Sequence, residues 1–362
     1  MTVNRVVAAA LLACALGTAG VWARGAQAPP ADTLPEKLTD EQFWTLSGDL
    51  SEDNGYFRSD NLLSNEIWLQ WVLKDLLVRA GTGGVYVGVG PEQNFTYITA
   101  LRPKMVFFTD IRRGNLHTHL MYKALFEMSA DRAEFVSRLF TKKRPDTLTR
   151  TSPIAQIMDA YWDIPTSPDT VYKENLQAIK DWLTKKPHTL PLGKEDLDGI
   201  EYVYYNFYWF GPSITYNSTN PSGGGTRSNM ANYYQLMVAD DGAGAMRSYL
   251  SSDETFAVLK QMHQRNLVVP VVGDFAGPKA LRRVGQYIRD HQATVTAFYL
   301  SNVEQYLRQE GKWDRFCANV ATMPLTERST FIRSQQGGGG GSGLMNALGG
   351  MQAETQRCGG GH

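Results

Sequence analysis

Cysteine is scarce in this chain of 362 residues: three occur, at positions 14, 317 and 358. Once a leader carrying Cys14 is removed, only Cys317 and Cys358 remain, so fold stability is expected to come from an apolar core. A bridge between these two is conceivable after export. Because Cys358 sits in a Gly-rich tail, Cys317 is read instead as a small buried apolar residue in Phe316-Cys-Ala-Asn-Val. Charge of either sign is also in balance, with 36 Lys+Arg against 36 Asp+Glu. With no dense basic run, nucleic acid is not an expected partner. The sequence has no Gly-x-Ser-x-Gly elbow, no phosphate-binding P-loop and no His-Glu-x-x-His pattern. His117 and His119 lie two apart, which on a helix points them in different directions, so no metal site is expected there.

The one long apolar run is at the start. Arg5 precedes residues 6–23, rich in Ala and Leu, and small residues follow at Val21-Trp-Ala and Ala26-Gln-Ala. This is the layout of a signal peptide spanning residues 1–23, or 1–28, and predicts a periplasmic or secreted protein. The run is short of the ~20 apolar residues of a stable span, so no membrane span is expected after cleavage. Leu11-Leu-Ala-Cys14 offers an alternative lipoprotein cleavage, but the apolar run continues beyond it and favours ordinary cleavage.

Residues 24–40 are Pro- and Ala-rich and read as a linker. From 41 to 334 the pattern predicts one α/β domain. Helical spacing over 40–80 is followed by strand 85–90, helix 92–101, strand 105–110 and helix 115–128. This alternation implies a parallel sheet with helices on both faces. It stops over about 130–265, where mainly helical segments form a large insertion. The aromatic run 202–210 inside it is read as core packing, and Gly-rich stretches at 211–226 as loops. The rhythm then resumes with strand 267–274, helix 278–290, strand 293–300 and helix 302–309. Residues 316–323 and 330–332 are candidate last strands. The Gly-rich tail 335–362 carries little apolar surface and is expected to be disordered.

Chemistry concentrates at strand ends. In Val85-Tyr-Val-Gly-Val-Gly-Pro-Glu-Gln-Asn94, Gly88 and Gly90 allow a tight turn and close approach of a ligand, and a helix starting near Pro91 offers free N–H groups. Asp110 follows Gly88 by 22 residues, about where a Rossmann-type site places the acid for a ribose diol. Asp274 has two readings: acceptor for an exocyclic base amine with Phe275 stacked beside it, or cap of the following helix. Ser301 and Asn302 end the next strand, and Asn302 too is either a substrate contact or a cap. Glu92, as a carboxylate at a helix start, would repel a pyrophosphate, and the third glycine of Gly-x-Gly-x-x-Gly is missing. The loop therefore disfavours NAD or FAD and suits a cationic or zwitterionic cofactor. Arg112 and Arg113 are read as surface residues.

The order Gly88-Val-Gly90, Asp110, Gly273-Asp274 and Ala297-Phe-Tyr-Leu-Ser-Asn302 resembles that of class I S-adenosylmethionine-dependent methyltransferases. The stretches 55–66, 88–95 and 271–277 look more closely like an uncharacterised bacterial family of exported proteins with that Rossmann-like fold, over most of residues 50–335. The resemblance implies a glycine loop facing the methionine part of the cofactor, Asp110 at the ribose and Asp274 at the adenine. The chain departs from it at Tyr86, where methyltransferases commonly carry an acid, leaving Glu92 as the candidate anchor for the cofactor's amino group. Expected binding residues are thus Gly88, Gly90, Pro91, Glu92, Asp110, Asp274, Phe275, Ser301 and Asn302, with Tyr299 and Asn302 nearest the acceptor. Two alternatives stay open: an exported small-ligand-binding protein without catalysis, and a nicotinamide oxidoreductase.

Overall fold

Three uninterrupted apolar strands set the architecture. In the computed structural model, which describes residues 32–219, 230–336 and 344–358, β1 (Val85–Gly88), β2 (Met105–Asp110) and β3 (Val268–Val272) are buried along their whole length. That is the signature of central parallel strands covered by helices. With β4 (Val295–Ser301), β5 (Thr330–Gln336) and β6 (Leu344–Gly350) they form one six-stranded sheet, ordered β3-β2-β1-β4-β5-β6. Every pairing is parallel except β5 with β6. The chain is therefore an α/β protein with a mostly parallel sheet. Predicted leader residues 1–28 lie outside the described residues.

Helix α1 (Asp40–Leu50) opens with a capping box, Thr39 accepting from Gln42 N–H and Gln42 reaching back. It packs against β3. Next come α2 (Leu73–Ala80), then α3 (Gln93–Leu101) linking β1 to β2, and α4 (Arg113–Met128). Between α4 and β3 the chain forms α5 (Arg132–Phe140), α6 (Ile154–Asp163), α7 (Asp169–Thr184), α8 (Lys194–Phe210), α9 (Tyr233–Val238) and α10 (Asp253–Gln264). Helix α4 touches β2 and β3 on one side and α5, α7, α8 and α10 on others, so residues 115–127 are buried without a break. Helix α11 (Ala280–Asp290) leads into β4, and α12 (Val303–Gln309) and α13 (Trp313–Ala321) lead into β5. Residues 313–321, partly expected as strand, are helical, burying Phe316, Cys317, Asn319 and Val320 along one stripe.

The tail departs from expectation. Residues 344–350 pair antiparallel with β5 along its full length, and α14 (Met351–Arg357) follows. Cys358 bonds to Cys317, closing a separation of 41 residues, and Glu354 pairs with Arg333 at 2.5 Å. Low apolar content misled here because the segment borrows order from others: a strand edge supplies its backbone partners and a disulfide its anchor. The aromatic run also splits. On α8, Tyr204 and Phe207 enter the core, whereas Tyr202, Tyr205 and Trp209 are exposed. Among the described residues no helix is long and apolar enough to cross a membrane.

Candidate ligand site

Beyond the carboxyl ends of β1 to β4 lies a cavity of about 180 Å³. In that measure one water takes roughly 10–15 Å³, so there is room for a small organic molecule rather than a lone ion. Gly90, Pro91, Asp110, Asp274, Phe275, Tyr299, Ser301 and Asn302 all line it. Gly88 and Glu92 do not. A wall that was not expected comes from the stretch between α1 and α2, with Tyr56, Phe57, Asn61 and residues 63–66 facing the cavity.

The two glycines serve different ends. Gly90 has φ +75° and open space where a Cβ would sit, so it is the position that needs glycine for its backbone. At Gly88 a Cβ would run into Asn94 Oδ1 and the Tyr86 ring. Asn94 is what holds this turn: its Nδ2 donates to the carbonyls of Val89 (2.9 Å) and Pro91 (2.8 Å), and its Oδ1 accepts from Tyr86 Oη at 2.8 Å. His119 supports the turn from below. Its Nε2 donates to Gly90 O at 3.0 Å, its ring stacks on Phe108 at 3.8 Å, and burial lowers its pKa to about 4, so it is neutral.

Glu92 does not present charge to a ligand. Desolvation at complete burial, opposed by hydrogen bonds from the Ser64 and Glu92 amides, raises its pKa to about 8. At neutral pH it is mostly the acid. The start of α3 is covered as well: Ser64 N donates to Glu92 Oε1 at 3.3 Å and Ser64 Oγ donates to Gln93 Oε1. The first N–H groups of α3 are also taken within the turn, Asn94 N on Pro91 O (3.4 Å) and Phe95 N on Glu92 O (2.9 Å), rather than left as an open row.

Asp110 is held by a neighbour read from sequence as a surface residue. Arg112 donates Nε to Oδ1 (3.0 Å) and Nη2 to Oδ2 (2.9 Å), while its backbone N–H adds a third bond to Oδ1. Its Nη1 reaches the carbonyls of Ser59 and Asp60, clipping the unexpected wall to the end of β2. Asp274 accepts from Ala276 N at 2.9 Å and pairs with Lys312 at 3.2 Å, so it closes a local turn instead of capping α11. That cap is Glu52, whose Oε1 accepts from both Lys279 N and Ala280 N at 2.8 Å. Phe275 packs on Phe298 and Phe316. Asn302 makes no side-chain cap on α12, leaving its amide at the cavity.

The residue that sequence reasoning missed is Glu66. It is 1 % exposed and lines the cavity floor. Oε1 accepts from Tyr299 Oη (2.7 Å), Ser301 Oγ (3.0 Å) and Ser334 Oγ, and Oε2 from Gln93 Nε2 and Asn346 Nδ2 (2.8 Å). The donors come from α3, β4, β5 and β6. A lone acid in an irregular stretch carries no periodic signal; only the resemblance over 55–66 drew notice to it. Of the two histidines, His117 meets Asp196 at 3.0 Å, apart from His119, and among the described residues no acid, His and Cys cluster could hold a metal ion.

Comparison with known proteins gives a family. The profile described as "Domain of unknown function (DUF7790)" matches residues 62–189 and 210–347, about three quarters of the chain, and the protein belongs to that family. No curated protein matches the chain.

Proposed function

For this member of the family we propose a Rossmann-like site that binds a nucleoside ligand, with S-adenosylmethionine the expected cofactor of a methyltransferase-like reaction. The observation behind this reading is the convergence of four strand ends on one cavity, next to the point where the order reverses between β1 and β4. Ligands of open parallel sheets sit at such a reversal, and the order from β3 to β5 follows the doubly wound pattern. The antiparallel β6 is a departure from it.

The residues present fit such a group in a particular way. Phe275, Val303, Tyr306 and Leu307 give a flat apolar wall for a base. Among the described residues, Asn61 Oδ1 is a buried acceptor with no partner. A carboxylate oxygen has about two acceptor positions. Arg112 fills both on Asp110 Oδ1 and one on Oδ2, so Asp110 can take one sugar hydroxyl, not a diol. The covered start of α3 disfavours a dinucleotide pyrophosphate, in place of the charge argument first built on Glu92. When bound, S-adenosylmethionine would supply the methyl group; the chain's part is alignment and exclusion of water. A second reading, an exported binder without catalysis, is favoured by the Cys317–Cys358 bond, since disulfides persist in oxidising compartments where this cofactor is not made.

Calorimetry with S-adenosylmethionine, S-adenosylhomocysteine, adenosine and NAD tests the reading. At least one adenosine ligand is expected to bind, and Asn302→Leu, which breaks no cap, should weaken it by about tenfold, the worth of one to two hydrogen bonds. NAD binding tighter than the rest would overturn the assignment. Transfer of labelled methyl to cell-envelope extracts by wild type and not by Asn302→Leu separates enzyme from binder.

A further inference from the structure

Six acids are buried among the described residues: Glu66, Glu92, Asp110, Glu127, Asp131 and Asp196. Asp110 pairs with Arg112, Glu127 with Lys123, Asp131 with Arg144, and Asp196 with Arg113 and His117. Glu92 keeps its proton near neutral pH. Glu66 does neither. Its five partners are amide N–H and hydroxyl groups, and among the described residues no Lys, Arg or His pairs with it. Neutral donors replace lost hydration but leave the net charge, and a buried charge is ordinarily matched by a counter-charge. A cation on a bound molecule would have a place to stand, because Glu66 and three of its donors, Gln93, Tyr299 and Ser301, line the cavity.

The rest of the lining does not supply that charge. Arg112 spends all its reach on Asp110, Ser59 and Asp60, and Lys312 serves Asp274 and Glu310. Those two cations face three acids, so with Glu66 the lining carries more negative than positive charge. Tyr299 lines the cavity with its hydroxyl committed to Glu66, while the Tyr306 ring already faces Arg58.

We infer that the cavity is built for an onium cation, the sulfonium carried by the ligand, and that Glu66 is the counter-charge that selects it. This rests on the nucleoside reading and deepens it: the counter-charge faces the sulfonium, a role distinct from the amino-group anchor first expected of Glu92. The experiment is calorimetry on the full-length protein at pH 7 with four probes: S-adenosylmethionine, its neutral-sulfur analogue S-adenosylhomocysteine, adenosine, and choline as a cation without a nucleoside. Wild type should bind S-adenosylmethionine at least about tenfold tighter than S-adenosylhomocysteine and adenosine, since Glu66, its acceptor positions filled, acts on the sulfonium through its charge across a short distance rather than by a hydrogen bond. Glu66→Gln, with folding checked by thermal melting, should bring the three nucleosides to within about threefold of one another. Equal binding of the nucleosides by wild type overturns the cation site while leaving the nucleoside reading standing, and needs no variant. A preference that survives in folded Glu66→Gln also overturns it. Choline binding without any nucleoside keeps the cation site and removes the nucleoside reading. No binding of any probe removes both.

Discussion

Gly88 and Gly90 are two residues apart in sequence, yet only one of them needs its backbone freedom. Gly90→Asn should stay within about 1 kcal/mol of wild type, because Asn tolerates the left-handed region. Gly88→Ala should lose about 1–3 kcal/mol or more by overpacking against Asn94 and Tyr86. Urea denaturation of the pair checks this, and equal losses would contradict it. Glu92 makes a separate forecast. Its folded pKa of about 8 lies above the ordinary 4.5, so the native state holds a proton that the unfolded state releases. Its contribution to stability therefore falls as pH rises from about 4.5 to 8. Glu92→Gln should remove that decline, leaving the variant more stable than wild type at pH 8 by on the order of a few kcal/mol. Chemical denaturation at pH 5 and pH 8 measures it, and a variant equally destabilised at both would refute it. Sequence named eight of the residues that line the cavity, because strand ends and glycines leave local marks. It could not tell that Glu92 is sealed beneath the segment at Ser64, since burial by a distant segment leaves no mark on the buried residue.

Among the elements, α4 shows how far a helical pattern can be read. Its existence was legible from spacing; its burial on every side was not. Lys123 and Glu127, one turn apart, look like an ordinary solvent-facing pair. Instead Lys123 Nζ, almost without exposure, donates to Glu127 Oε1 and to His263 O at 2.6 Å, while His188 bridges Glu127 and Asp40 at 2.7 Å each. The network joins α1, α4 and the segment after α7. Burial alone would raise the Glu127 pKa, but the His188 hydrogen bond and the Lys123 charge outweigh it and bring it to about 2. With the folded value below the unfolded 4.5, this stabilisation is complete above about pH 4.5 and is lost as pH falls towards 2. Lys123→Met leaves Glu127 without its nearest cation and should cost about 3–5 kcal/mol at pH 7. A loss under 1 kcal/mol in guanidinium denaturation would show that His188 alone suffices.

For the molecule as a whole, alternation of strands and helices was enough to foresee an α/β sheet with helices inserted between β2 and β3. The last strand was not foreseen, since β6 is specified by the edge of β5 and by Cys317 more than by its own side chains. That makes the tail testable. Cys317→Ser with Cys358→Ser, or reduction of wild type, should lower stability by about 2–4 kcal/mol and loosen β6 first. Unchanged unfolding in reducing agent would deny the bond a structural role. The wall clipped by Arg112 carries a further consequence. The cavity floor is tied into α3 and three strands, whereas residues 59 and 60 are held by their carbonyls on the Arg112 guanidinium and by the exposed Tyr202 hydroxyl on Asp60. Amide protons in that wall should exchange through small local openings, while those of β1 and β2 wait for global unfolding. The residence time of a bound molecule would then follow the faster of these two clocks, so affinity and dwell time could be altered separately, one at Glu66 and the other at Arg112.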